Sequence, residues 1–265
     1  MTDHGTSYGT AWFSALDTSG ADTSGSLLTG HTVLADGTTA ALAAVVPDPD
    51  SRFPRARHGE VGLRESLDLA AWVNSLDDPD MPLVIVVDVP SQAYGFVEEQ
   101  FGLNTTMATA VNAIASTRLA GRPVISLVVG NAISGAFLTT GLQANRIVML
   151  DHDGVQVQVM GKTAAARITR RTVEAMEKAA ESVPAMAFDG ASFVSLGGVF
   201  ESLVAQNPAE PGADDILAVK DALDRALVDI RDSGTTDLRS RLESRQAQTA
   251  RALSRTVRQV VDERW

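Results

Sequence analysis

The sequence predicts an α/β domain of repeated ββα-like units, with a parallel sheet at its centre and a helical C-terminal region. Leu83 to Val87 (LVIVV) and Pro123 to Val129 (PVISLVV) are continuous apolar runs. Such runs fit parallel strands covered on both faces, because no alternate position is left for water. A long helical pattern lies between them, as a crossover joining two parallel strands demands. With 265 residues, 45% of them hydrophobic, the chain can bury a substantial core.

Taken in order, residues 1–25 are rich in Gly, Ser, Thr and Asp and read as a loose arm with Trp12-Phe13 as anchor. Residues 26–265 read as one domain. Strands are expected at Ser26 to Ala35 and Thr39 to Val46, around the turn Asp36-Gly37. Pro47 to Gly59, with three prolines and three arginines, reads as a surface loop. Leu63 to Leu76 carries the helical stripe Leu63, Leu67, Ala70, Ala71, Leu76. The Leu83 strand runs into Asp88-Val89-Pro90-Ser91-Gln92, where Pro90 ends the ladder. A single long helix is expected from about Glu98 to Leu119, then a strand from Val124 to Val129.

Further strands are expected at Arg146 to Leu150, Val155 to Met160 and Phe200 to Val204, with a helix from Thr163 to about Ser182. From about residue 213 the chain reads as helical, broken at Ser233-Gly234-Thr235-Thr236. The arginines of this tail, Arg239 to Arg264, read as a solvated face.

Net charge is −11, from 33 acidic and 22 basic residues, which argues against nucleic acid as the main partner. Cysteine is absent and His4, His31, His58 and His152 are scattered, so neither a thiolate nor a histidine metal site is expected. MTDHGTSYGTAW lacks the basic and apolar segments of a signal peptide, and no apolar run approaches the ~18 residues of a membrane span. A cytoplasmic protein is the expectation.

The chemistry-bearing segment is Gly130-Asn131-Ala132-Ile133-Ser134-Gly135-Ala136-Phe137, set between a strand and a helix start. First-turn N–H groups lack intrahelical acceptors, and small side chains at Ser134, Gly135 and Ala136 let an oxygen approach them. One reading is half of an oxyanion hole for a thioester enolate; the other is close packing of a helix on a strand. A P-loop is excluded because Ala136-Phe137 replaces Lys-Ser/Thr, and a hydrolase elbow because Ala132 and Ala136 replace its glycines. Gly161-Lys162-Thr163 has a P-loop ending, but Gln156 occupies the first-glycine position. Ligands of α/β sheets collect beyond the carboxyl ends of strands. Asp88 to Gln92 and Gly130 to Ala136 are two such ends, and amides near Ser91 or Gln92 and from Gly135 or Ala136 are expected to converge.

The series VDVPSQAYG, GNAISGAFLTTGLQANR and VMGKTAAARITRR resembles the crotonase-fold carboxyltransferases, whose DxPGF segment, GGA helix start and MG turn recur in this order. With SRFPRARHGEVGL and FVSLGG included, residues 51–204 look like the gamma subunit family of biotin-independent malonate decarboxylase. The resemblance implies a crotonase-like (ClpP/crotonase) fold and work beside a beta subunit of the same fold, as a heterodimer or higher oligomer. The implied reaction is decarboxylation of malonyl-S-acyl-carrier-protein to acetyl-S-acyl-carrier-protein and CO2. The malonyl group would ride on the phosphoribosyl-dephospho-CoA arm of an acyl-carrier delta subunit, loaded by an alpha acyltransferase subunit, with no cofactor bound directly to this chain.

By the same resemblance, Gly135 and Ala136 align with the Gly-Ala of GGA, Ser91 with the Gly of DxPGF and Gln92 with its Phe. Gly161 begins the MG turn. Lys162, Arg52, Arg55 and Arg57 are candidates for the arm's phosphates, each weighed against a solvated surface position. Gln158 stands where related gamma subunits carry His, so no general acid is named. Two other readings stay open: a subunit of a biotin-dependent acyl-CoA carboxyltransferase, and a mainly structural partner of a catalytic beta subunit.

Overall fold

The computed structural model describes residues 7–181, 183 and 186–265. Strand β1 (Leu27–Val33) and β2 (Thr39–Val45) form an antiparallel hairpin, and β2 is followed in the sheet by parallel β3 (Leu83–Val89). Next come β4 (Val124–Ile133), β5 (Arg146–Leu150) and, beyond β5, β7 (Glu201–Leu203). Strand β6 (Gln156–Gln158) lies off this path on β4. Both continuous apolar runs are therefore central parallel strands, and every residue of β3 is buried.

Helix α1 (Tyr8–Leu16) corrects the expectation of a loose arm. Ser7 caps it by accepting the Thr10 N–H, and Trp12, Phe13 and Leu16 share one face with no exposed surface. Composition favours a coil here, but three large apolar side chains within five residues outweigh it once the sheet offers them a surface. Trp12 Nε1 also donates to the Pro208 carbonyl at 2.9 Å. Asp17 closes the helix and ties it to β1, accepting N–H groups from Ser19, Ala21 and His31.

Burial works against ionised Asp17, yet these bonds and the Ser19 hydroxyl outweigh it and bring its pKa from 3.8 to about 2. A folded value below the unfolded one means that this stabilisation is full above the ordinary carboxylate pKa and is lost as pH falls from there towards 2. Asp17→Asn is expected to remove about 1 kcal/mol at neutral pH, after allowance for partial exposure, and to flatten the acid limb. Urea midpoints measured across that window check this.

Helix α2 (Leu63–Asn74) covers the sheet beside α4 (Leu103–Leu119). The single helix expected from Glu98 is two, α3 (Phe96–Gln100) and α4, because Gly102 at φ +81 cannot continue a right-handed turn. Likewise the helix from Thr163 divides at Arg170 (φ +54) into α6 (Lys162–Thr169) and α7 (Val173–Ala180), and Ser182 lies outside the described residues. Helix α5 (Ser134–Thr140) follows β4 directly, and α8 (Gly190–Ser195) precedes β7. The tail is α9 (Ala213–Ser233), which buries Val219, Leu223, Leu227 and Ile230, followed by α10 (Ser240–Glu243), α11 (Arg245–Ala250) and α12 (Ala252–Arg264). Gly234 (φ +60) makes the expected break.

The solvated reading of the tail arginines fails at Arg241. Its guanidinium donates to the carbonyls of Leu142 and Ala144, and burial lowers its pKa to about 10. Arg241 therefore pins α10 to the segment following α5. Among the described residues no helix is long and apolar enough to cross a membrane.

Candidate active site

Strand β4 is long because it changes neighbours. Ile125 to Val128 pair with β5, whereas Asn131 to Ile133 pair with Gln156 to Gln158 of β6. Its register against β3 shifts between Val87 and Val89, where Asp88 sits buried. A Cβ at Gly130 would lie 2.2 Å from Asp88 Oδ1, so glycine alone lets the carboxylate enter the shift. There Oδ1 accepts the Asn131 N–H at 2.9 Å, and Oδ2 accepts the Gly9 N–H at 3.1 Å. One carboxylate thus fixes the exits of β3 and β4 and the start of α1.

The exit of β4 opens on an apolar cavity of about 420 Å³, lined by Ser134, Gly135, Phe137, Leu138, Val157, Gln158 and Phe193 among others. Ser134 has φ +65, a left-handed conformation unusual for a residue with a side chain, and it turns the chain abruptly into α5. The pairing of Ile133 with Gln158 brings Gln158 beside it. Both ends of the Gln158 amide are engaged: Nε2 donates to the Ala187 carbonyl at 2.8 Å, and Oε1 accepts the Val159 N–H at 2.7 Å.

The expectation of open amides needs correction. The Gly135 N–H donates to Gln92 Oε1 at 3.0 Å, so a side-chain carbonyl occupies the position an anionic oxygen would take. Ala136 is fully buried in the main core and does not line the cavity. From the β3 exit it is thus the side chain of Gln92 that meets Gly135. The main chain there pairs with Val61, whose N–H reaches the Ser91 carbonyl and whose carbonyl accepts from Ala93. Among the described residues no acceptor takes the Ser91 or Gln92 N–H.

The cationic candidates lie elsewhere. Arg55 Nη1 donates to both Glu60 oxygens, at 3.1 and 3.0 Å, and this carboxylate holds the guanidinium above its ordinary pKa. Its guanidinium also stacks 4.6 Å from the Tyr94 ring centre. Arg57 Nε donates to the Ser51 carbonyl, and Arg52 lies over Phe53. Lys162 Nζ pairs with Glu177 at 3.0 Å beside a separate small hollow, with Gly161 as the N-cap of α6. None of these residues lines the apolar cavity. Met160 packs beside a small cluster of Ala165, Ala166, Met176 and Phe188 and does not line the cavity.

His152 is a half-buried brace. Its Nδ1 accepts the Gly154 N–H at 3.1 Å, which leaves Nε2 to donate to the Val129 carbonyl at 3.0 Å. Asp88, Met107 and Phe193 were not legible as site residues. A Cβ on Gly135 would meet Met107 Cε at 2.8 Å and Gln92 Oε1 at 3.4 Å, so only helical phase could have pointed to Met107.

Comparison with known proteins gives the family and the fold. A family profile for the malonate decarboxylase gamma subunit matches residues 56–265. A Pseudomonas malonate decarboxylase hetero-tetramer solved with coenzyme A contains a chain 46% identical (TM-score 0.89), with 98% of this chain and all of that one covered. A Pseudomonas MdcD-MdcE hetero-dimer contains one 43% identical (TM-score 0.86; 98% and 99% covered). Transcarboxylase 12S, at 23% identity and TM-score 0.58 over 77% of this chain and 37% of that one, shares the fold. The curated malonyl-S-ACP:biotin-protein carboxyltransferase of Malonomonas rubra is 35% identical over 161 residues, 57% of this chain, which spans 55% of that relative's length. The chain has a crotonase-type fold and belongs to the malonate decarboxylase gamma subunit family.

Proposed function

We propose that this chain is the gamma subunit of a malonate decarboxylase, acting with a beta subunit of the same fold to convert malonyl-S-acyl-carrier-protein to acetyl-S-acyl-carrier-protein and CO2. The observation that carries the reading is the full-length likeness to the Pseudomonas complexes, joined to an apolar cavity beginning at Ser134 and Gly135. The substrate arrives on the prosthetic arm of a delta subunit, after loading by an alpha subunit.

The bond from the carboxylate carbon to Cα breaks, its electron pair becomes the enolate, and Cα then takes one proton. Carboxylate charge disperses as CO2 forms, and an apolar wall favours that dispersal over hydration of the ground state. Phe137, Leu138, Val157 and Phe193 supply such a wall. The Gly135 N–H is the donor for the anionic oxygen, of the enolate or of the departing carboxylate.

Reconstitution of alpha, beta, gamma and delta subunits, with each omitted in turn and CO2 release from malonyl carrier protein measured, tests the proposal. Loss of turnover without this chain is expected; full turnover by the beta subunit alone would make this chain a structural partner. The Malonomonas rubra relative motivates one further reading, carboxyl transfer to a biotin protein. Carboxybiotin-dependent exchange by the purified complex would establish that instead.

A further inference from the structure

We infer that Gln92 is a positioning residue that keeps the Gly135 amide occupied until an anionic substrate oxygen displaces it; this rests on the function proposed above. The contact joins residues 43 positions apart across the exits of β3 and β4, at 3.0 Å. Gln92 is only half-buried, and among the described residues its side chain bonds to the Gly135 N–H alone. Its side chain can therefore swing away without breaking a network. Gly135 has no Cβ, and one built there would lie 3.4 Å from Gln92 Oε1. That is an ordinary contact distance; the atom a side chain would strike is Met107 Cε, at 2.8 Å.

Relative strengths decide what can displace it. A bond between two neutral amides contributes little net stability, whereas an N–H to an anionic oxygen is about twice as strong. Water, which offers no charge, gains nothing by replacing Gln92. A carboxylate or enolate oxygen does, so the gate opens to the species the site is proposed to stabilise. A Glu at this position would hold the N–H with its own charge and repel the arriving anion.

The two substitutions therefore have opposite signs. In the assembled complex, Gln92→Ala is expected to lower KM for malonyl carrier protein about fivefold, and Gln92→Glu to raise it at least as much. Amide hydrogen exchange at Gly135 is expected to quicken in Gln92→Ala of the full chain. A raised KM in Gln92→Ala would make the side chain a substrate ligand and overturn the gate. Unchanged Gly135 exchange overturns it as well. Should the wild-type complex release no CO2, the proposed function fails, and sodium malonate titration of the Gly135 amide resonance then decides this inference. Tighter malonate binding in Gln92→Ala supports it, and equal or weaker binding overturns it.

Discussion

Gly135→Pro is expected to lower the rate of CO2 release by about 10²–10³-fold while leaving assembly with the beta subunit intact. Proline removes the one N–H that faces Gln92 Oε1, and it does so in the first turn of α5, where no intrahelical bond is lost. Gly135→Val probes the same position by volume: its Cβ would meet Met107 Cε at 2.8 Å and force Met107 aside. The flexible methionine can yield, so valine is expected to cost less than proline. Single-turnover CO2 release checks the rates, and size-exclusion of the reconstituted pair checks assembly. Wild-type turnover by the proline variant would remove Gly135 from the reaction.

The largest expected effect on stability comes from Asp88→Ala, at about 3–5 kcal/mol. The Gly9 and Asn131 N–H groups both donate to this buried carboxylate, and no water reaches Gly9 to replace it. Each donor left unpaired costs ~1–3 kcal/mol, and removing a charged acceptor puts the sum towards the upper half of that range. Asp88→Asn keeps one carbonyl oxygen for one of the two donors and is expected to recover about half of the loss. Denaturation of the full chain by urea measures both variants. Activity of Asp88→Asn is expected to fall more than its folded fraction does, because the same contact sets the turn leading to Ser134.

Much of the fold was legible because continuous apolar runs such as LVIVV suit a strand covered on both faces and little else. The same logic missed α1, where Gly, Ser and Thr around Trp12 and Phe13 imitate a coil until a sheet lies beneath them. Arg170 breaks a helix in a left-handed conformation that no local residue type announced, whereas Gly102 gave a readable sign. At the site, the small residues of Ser134 to Ala136 marked the place where the cavity begins, but not the state of its donors. Side chains brought together by tertiary structure decide that state. Gln92 covers Gly135, Glu60 neutralises Arg55 and Glu177 pairs with Lys162, and none of these pairings is a property of one segment.

Strand β4 belongs to two partnerships along a single backbone, with β5 for its first half and β6 for its second. A rigid floor and an adjustable rim are thereby built from one piece of chain. Substitutions in β6 can reshape the rim while the floor stays registered against β3 and β5. Val157 and Gln158 of β6 line the cavity, so the strand that shapes it is not one of those that carry the main sheet.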